Sequence, residues 1–175
     1  MSKKLSIFLI LILALKKGNA QSSAEILDMD SVYVNGVIPF TTTVKQLIEK
    51  LGKPDSILSR NYDCGGYFEK PVEVYCYGQT RFEAFENEVV IREISFKEGK
   101  FNLKTTKQVW TNKTSLKDIG RYYPQAVDES YDWENPSNKK IYRIVRIQPK
   151  ANYDDLWVLK FYNGKLIEME YWIPC

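Results

Sequence analysis

The stretch that most constrains the fold joins an amphipathic helix to two closely spaced cysteines, and it runs from Thr43 to Gly78. Its apolar residues recur at helical spacing, at Val44, Leu47, Ile48 and Leu51. Gly52 is expected to end this helix, because glycine followed closely by Pro54 is typical of a helix C-terminus. A threonine of the run at 41–43 is expected to cap its start, because a hydroxyl can accept from an unpaired backbone N–H.

The chain has three cysteines and no histidine. Of the three possible single bridges, Cys64–Cys76 is the local one, and a turn at Gly65-Gly66 would bring its two strands together. Such a bridge would contribute about 3 kcal/mol in the chain-entropy model. Cys175 is then left free or available for pairing between chains. Because histidine is absent and the cysteine spacing does not suit a metal clasp, we predict no metal and no cofactor.

The first twenty residues have the pattern of a cleavable secretory signal. A basic start at Lys3 and Lys4 precedes an apolar run from Leu5 to Leu15, and small residues end the segment at Gly18 and Ala20. The alternative is an uncleaved membrane anchor. No cysteine follows for a lipid anchor, and no later run has the length of a membrane span. We therefore predict a periplasmic or secreted protein, with no transmembrane segment once the signal is removed.

The apparent basic charge of the chain belongs largely to this signal. The full sequence has 25 Lys+Arg against 22 Asp+Glu. Removing the four signal lysines leaves 21 against 22, a net charge of −1. Nucleic acid is therefore not an expected partner, since binding it needs clustered basic residues. The remaining 155 residues are enough for one domain with its own core.

Turn signals divide the rest of the chain into short strands. The Asn-Gly dipeptides at 35–36 and 163–164 favour type I′ hairpin turns. Around the first of them the alternative is one strand and an irregular turn, because Pro39 weakens the second arm. Strands are also predicted at 81–85, 89–97 and 141–147, with 101–110 a strand or a connection. Residues 128–140 are read as a polar loop.

The second half of the chain loosely repeats the plan of the first. Residues 114–124 predict a weaker helix followed again by proline, and the turns at Gly99 and Gly164 occupy matching places. We predict one compact unit with a signal at 1–20, a flexible leader at 21–30, a first repeat at 31–105 and a second at 106–175.

These motifs carry a resemblance to a known family. A threonine-led helix ending in LGKPD, then CGGYF and a second cysteine, in a duplicated exported chain, resembles the β-lactamase inhibitor protein (BLIP-like) family and the related outer-membrane SmpA/OmlA (BamE-like) modules. The resemblance covers about 40–172. It implies an α+β fold of two tandem helix-plus-antiparallel-sheet repeats, with helices on one face and a protein bound on the other. It does not extend to β-lactamase inhibition, because the short segment 78–83 has no Asp-Tyr pair.

The number of aromatic residues favours a binding surface. Twelve tyrosines and four tryptophans exceed what one small core readily hides, because each buried O–H or N–H requires a partner. On the last strand Trp172 is expected among polar neighbours. The alternative for any one ring is simply a place in the core. The candidate contacts with a partner are Tyr75, Tyr77, Arg92, Arg143, Trp157, Tyr162 and Trp172.

Two arginines stand out among apolar neighbours. On strict alternation Arg92 shares a face with Val90 and Ile94, where an unpaired guanidinium is costly. Either the strand has a bulge, or Arg92 lies on the open face and meets an acidic partner. Arg143 stands in a similar pattern, so the two arginines are expected at equivalent places.

Catalysis is not predicted. Absence of histidine removes the commonest general base. The Ser-x-x-Lys spacing at 137–140 lies in a polar loop, and the acid pairs at 154–155 and at 168 and 170 show no sign of a cleft. We predict a non-catalytic binding protein that uses an aromatic-rich sheet face to bind a protein in the cell envelope. The alternatives are a carbohydrate or cell-wall binding module and an envelope structural protein. A flat strip of rings would favour sugar, and a mixed aromatic and charged face would favour protein.

Overall fold

The computed structural model describes residues 25–175, and antiparallel strands are the main regular structure of this part of the chain. Strand accounts for 43% and helix for 14%. The predicted signal at 1–20 lies outside the described residues. The strands are β1 Tyr33–Val34, β2 Ile38–Pro39, β3 Thr41–Thr43, β4 Ser56–Arg60, β5 Val72–Tyr77, β6 Thr80–Phe85, β7 Glu88–Ser95, β8 Leu103–Lys104, β9 Val109–Trp110, β10 Tyr131–Glu134, β11 Ile141–Ile147, β12 Leu156–Tyr162 and β13 Lys165–Trp172. The helices are α1 Val44–Leu51, α2 Leu116–Gly120 and α3 Pro124–Asp128, with a 3₁₀ turn at Met29–Ser31.

The strands form a large and a small antiparallel sheet. The large sheet has nine strands in the order β10-β11-β12-β13-β7-β6-β5-β4, with β3 also paired to β7. The small sheet has the order β2-β1-β8-β9. Within the described residues no helix is both long enough and apolar enough to cross a membrane.

One face of the large sheet packs on the hydrophobic core. A single cluster joins its side chains, such as Leu159 and Met169, to Leu103 of the small sheet, Leu47 of α1 and Ile119 of α2. On β12 the residues alternate between buried and half-buried, as expected for a strand with one face on a core and one facing away from it. The other face of the large sheet is therefore the place to look for a binding surface.

The predicted fold class, α+β with two tandem helix-plus-sheet repeats and helices on one face, is wrong. Two antiparallel sheets form the described structure, and its α-helices are three short ones. The second predicted helix is divided, because α2 ends at Gly120 and Pro124 opens α3. The boundary placed between 105 and 106 falls inside a hairpin, where Leu103 pairs with Trp110.

Most of the local predictions are confirmed. Thr43 caps α1, with Gln46 completing a capping box, and Gly52 follows the helix at a φ of 82°. The residues at 35–36 and 163–164 adopt positive φ and join β1 to β2 and β12 to β13. The predicted loop at 128–140 is wrong in part, because β10 lies within it. The alternating Tyr-Asp-Trp-Glu sequence of β10 suits an edge strand whose polar residues face solvent.

The predicted leader is anchored where the structure describes it. Leu27 is 1% exposed, and its carbonyl accepts from Trp157 Nε1 at 2.7 Å. The Glu25 carboxylate accepts from the backbone N–H groups of Gln125 and Ala126 at 3.0 and 2.9 Å. From residue 25 onward the segment therefore packs against the rest of the fold.

The predicted Cys64–Cys76 bridge is also wrong. Cys64 is bonded to Cys175, with Cα atoms 5.0 Å apart, and Cys76 is a buried free thiol. On the sheet Cys76 lies between Ser56 of β4 and Arg81 of β6, so no neighbouring strand position is left for Cys64. A disulfide is typical of extracellular or periplasmic proteins, where thiols are oxidised.

Candidate binding face

Four adjacent strands, β10 to β13, carry aromatic and charged residues on the face opposite the core. We call this surface the open face. The registers of the strand pairs place its residues side by side. They are Tyr131, Trp133, Tyr142, Ile144, Arg146, Leu156, Val158, Lys160, Tyr162, Glu168, Glu170 and Trp172.

Three rings cross one end of the open face. Trp133, Tyr142 and Tyr162 come from β10, β11 and β12, and successive ring centroids are 6.0 and 5.6 Å apart. Their planes are tilted by 35° and 46°, so they do not form a flat strip. The ammonium of Lys140 lies 5.0 Å from the Tyr162 centroid. This end of the face therefore offers an uneven aromatic surface beside a cation.

A groove of about 260 Å³ marks the other end. Its residues are Tyr131, Arg146, Leu156, Val158, Glu170 and Trp172. The Arg146 guanidinium lies 4.6 Å from the Tyr131 centroid and donates to the Tyr131 hydroxyl. Tyr131 and Trp172 are 38% and 39% exposed, and Trp133 at the opposite end is also 38% exposed. Large rings are thus accessible at both ends.

Charged side chains lie between the aromatic rings and the neighbouring strand β7. Lys160 donates to Glu168, and its Nζ lies 3.4 Å from Glu170 Oε2. Burial alone would lower the pKa of Lys160, but these carboxylates outweigh it, so the pKa is raised and the lysine stays charged. Arg92 Nη2 lies 3.7 Å from Glu170 Oε1. The central carboxylates are therefore already paired within the chain.

Glu93 of β7 is a further carboxylate beside this cluster, and its pKa is raised. It lies opposite Glu170 in the sheet and is paired with Arg81 at 3.1 Å. Burial, reinforced by repulsion from Glu168 and Glu170, raises the pKa of Glu93 to about 7, although Arg81 and Lys160 act in the other direction. This carboxyl therefore changes charge near neutral pH.

The structure divides the candidate contact residues into several groups. Tyr162 and Trp172 lie on the open face. Tyr75, Tyr77 and Trp157 are buried in the core and leave almost no surface for a partner to contact. The polar tips of all three find partners inside the chain: Tyr75 donates to Glu73, Tyr77 to the Gly52 carbonyl and Trp157 to the Leu27 carbonyl.

The two arginines do not occupy equivalent places. Opposite β6, the pairing skips Arg92, so the predicted bulge is confirmed. Arg92 meets the acids Glu83 and Glu170 of its own chain. Arg143 points to the other side of β11 from the open-face residues, where it pairs with Asp132 at 3.2 Å and donates to Ser130.

Several residues of the open face were not among the candidates. Tyr131 and Trp133 were read as part of a loop, although their alternation with acidic residues was a signal of a strand. Tyr142, Arg146 and Lys160 carry no local mark of function. Among the described residues, no group of three or more His, Cys, Asp or Glu side chains could hold a metal ion.

Comparisons with protein-family models, with curated proteins and with solved structures find no match to this chain. The resemblance to the β-lactamase inhibitor protein family therefore stays a prediction. The geometry of the open face is therefore the basis for inferring a function.

Proposed function

We propose that this protein is a non-catalytic binding protein, exported from the cytoplasm, whose open face binds a protein partner in the cell envelope. The observation that carries the proposal is the accessible aromatic surface at both ends of one sheet face. Trp133 supplies one end, and Tyr131 with Trp172 supplies the other. Exposed aromatic rings interleaved with charges are typical anchors of protein interfaces.

The tilt of the rings favours a protein over a sugar. A polysaccharide that stacks on several rings needs them to share a plane, whereas Trp133, Tyr142 and Tyr162 are tilted against one another. The groove beside Trp172 is of a size to take one side chain, and apolar Leu156 and Val158 line it.

The acid pair on β13 supports binding over catalysis. Glu168 and Glu170 both contact the Lys160 ammonium, and Glu170 also meets Arg92. Carboxylates held in this way lack the separated roles of proton donor and nucleophile that acid catalysis of glycoside cleavage requires.

The experiment is affinity capture from the envelope fraction of the secreting cell, using the chain from residue 21 as bait, with a glycan array in parallel. We expect Trp133→Ala and Trp172→Ala each to reduce recovery of one specific protein at least tenfold. The matched control is Tyr122→Ala, because Tyr122 is an exposed ring outside the open face. Circular dichroism checks that each variant is folded.

Equal recovery by all three variants would contradict the proposal. Retention of glycans in a manner that needs Trp133, with no protein captured, would favour the carbohydrate-binding alternative.

A further inference from the structure

Arg146 is a cation of the open face that has no acid of its own. Among residues 25–175 no carboxylate forms an ion pair with it, and its described contacts are the ring and the hydroxyl of Tyr131. Three other arginines of the large sheet are paired: Arg81 with Glu93, Arg92 with Glu83 and Glu170, and Arg143 with Asp132. Arg60, at the end of the edge strand β4, forms no ion pair among the described residues either, but it lies far from the open face. The contrast separates the Arg146 guanidinium from these structural ion pairs.

The surroundings of Arg146 strengthen its interaction with an anion. Its groove is lined on the apolar side by Leu156, Val158 and Trp172. Arg146 is itself exposed, and an anion bound against these apolar side chains would exclude part of the water around the charge pair and so strengthen it. A guanidinium also matches a carboxylate geometrically, because its planar fork can donate two parallel hydrogen bonds.

The groove has one carboxylate, Glu170, which is contacted by Lys160 at 3.4 Å and by Arg92 at 3.7 Å. These two cations also contact Glu168 and Glu83, so they compensate the charge of Glu170 only in part. Arg146 is the cation that lines the groove and can donate to an incoming carboxylate.

A second groove, of about 350 Å³, shares Arg146 and Leu156 but has a different character. It contains Glu25 and Glu129, which add negative charge. The carboxylate of Glu25 is bound by backbone N–H groups at the start of α3. An acidic ligand is therefore favoured on the Trp172 side of Arg146 and disfavoured on the Glu25 side.

We propose that the groove between Tyr131 and Trp172 binds an acidic side chain of the protein partner, an Asp or Glu followed or preceded by an apolar residue. Arg146 holds the carboxylate, and Trp172 with Leu156 covers the apolar neighbour. This inference rests on the proposed function and specifies the chemistry of its partner. A peptide is favoured over an acidic polysaccharide because the aliphatic side chains of Leu156 and Val158 line the groove, and the rings at the other end of the open face are tilted against one another.

The test is a selection of random displayed heptapeptides on the immobilised chain from residue 21. We expect peptides that bind the wild-type protein to be enriched in Asp or Glu next to an apolar residue. Arg146→Gln is expected to abolish that enrichment and to weaken the best peptide at least tenfold. Arg146→Lys is expected to weaken it less, because the charge stays and the fork is lost. Arg60→Gln, an exposed arginine on the far edge strand, is the control and leaves binding unchanged.

A matched change in the peptide completes the test. Replacing its acidic residue by the corresponding amide is expected to weaken binding to the wild-type protein by the same factor, and to have no further effect on Arg146→Gln. Additive losses would show that the two groups do not meet, and would overturn the inference.

The remaining outcomes separate this inference from the proposed function. Peptides that need Trp172 but show no acidic preference overturn the inference and leave the open face as a binding surface. The inference is also overturned if no peptide is enriched while capture of an envelope protein still depends on Trp172, and the open face then remains a binding surface. Arg146-dependent binding of polygalacturonate in place of peptides overturns both.

Discussion

Arg92 holds the carboxylate of Glu83, a side chain with no exposure to solvent, with 3.4 Å between Nε and Oε1. Arg92 also donates to the carbonyl of Gly65 at 3.0 Å, and Glu83 accepts from the backbone N–H of Tyr67 at 3.2 Å. Both residues of the pair therefore bind the loop at 61–71, which the Cys64–Cys175 disulfide ties to the end of the chain. The pair and the disulfide together hold this loop against the part of the large sheet that lies beside the open face.

Removing the cation of this pair is expected to be costly. Arg92→Leu leaves the Glu83 charge buried without its counter-ion, since Glu83 Oε1 makes no hydrogen bond within residues 25–175. We expect the free energy of unfolding to fall by about 3 kcal/mol, measured by urea denaturation. The double variant Arg92→Leu/Glu83→Leu should recover part of that loss, because no charge is then stranded. A double variant less stable than Arg92→Leu would contradict this account.

The cysteine pairing is directly testable by peptide mapping under non-reducing conditions. We expect one fragment that joins Cys64 to Cys175, and a thiol at Cys76 that is alkylated only after unfolding. Replacing both bridged cysteines by serine should lower the free energy of unfolding by up to about 5 kcal/mol, because the bridge closes a long loop. Cys76→Ala is the control, with a loss of about 1 kcal/mol from packing alone. A fragment joining Cys64 to Cys76 would refute the pairing.

Two adjacent residues near the start of the described chain offer a sharp contrast. Leu27 is buried in the core, while the side chain of Ile26 is 36% exposed. Leu27→Ala should therefore cost about 3 kcal/mol in thermal or urea unfolding. Ile26→Ala should cost less, about 1 kcal/mol, because part of this side chain already faces solvent. Equal effects would mean that the segment is not anchored as described.

The stability of the protein is expected to fall between mildly acidic and mildly basic pH because of Glu93. Its pKa is raised from 4.5 to about 7 in the folded state, so the folded protein binds this proton more tightly than the unfolded chain does. The resulting stabilisation is fully present below about pH 4.5 and is lost as the pH rises through about 7. From pH 5 to pH 8 we expect the wild-type protein to lose about 2 kcal/mol more than Glu93→Gln does.

The control for this pH dependence is Glu69→Gln, because Glu69 is exposed on the loop. It should follow the wild-type pH profile throughout. If Glu93→Gln also followed the wild-type profile, Glu93 would not be the group that titrates.

Local features were predictable because each depends on residues close together in sequence. The cap at Thr43 needs only the run from Thr43 to Gln46. The Asn163-Gly164 turn needs only a pair that accepts positive φ. The bulge at Arg92 was one of the two alternatives that followed from the cost of placing an unpaired guanidinium among apolar neighbours.

The binding face was predictable only in part. Trp172 was expected to be accessible from its polar neighbours, and the structure gives it that exposure. The sequence around Trp157 is similarly mixed, with polar and apolar neighbours, but the side chain of Trp157 lies on the core side of β12. The strand β10 was missed because acidic residues within an edge strand resemble a loop when no partner strand is known.

By itself, the sequence determined the turns, the helix cap and most of the strands, because these depend on backbone preferences that act over a few residues. Only the tertiary structure decided that Cys64 bonds to Cys175, which is 111 residues away, since no local signal records which chain segments meet. The tertiary structure also decided which aromatic residues are accessible. Burial depends on what covers each face of the sheet, and the small sheet, the helices and the loop at 61–71 come from separate parts of the chain.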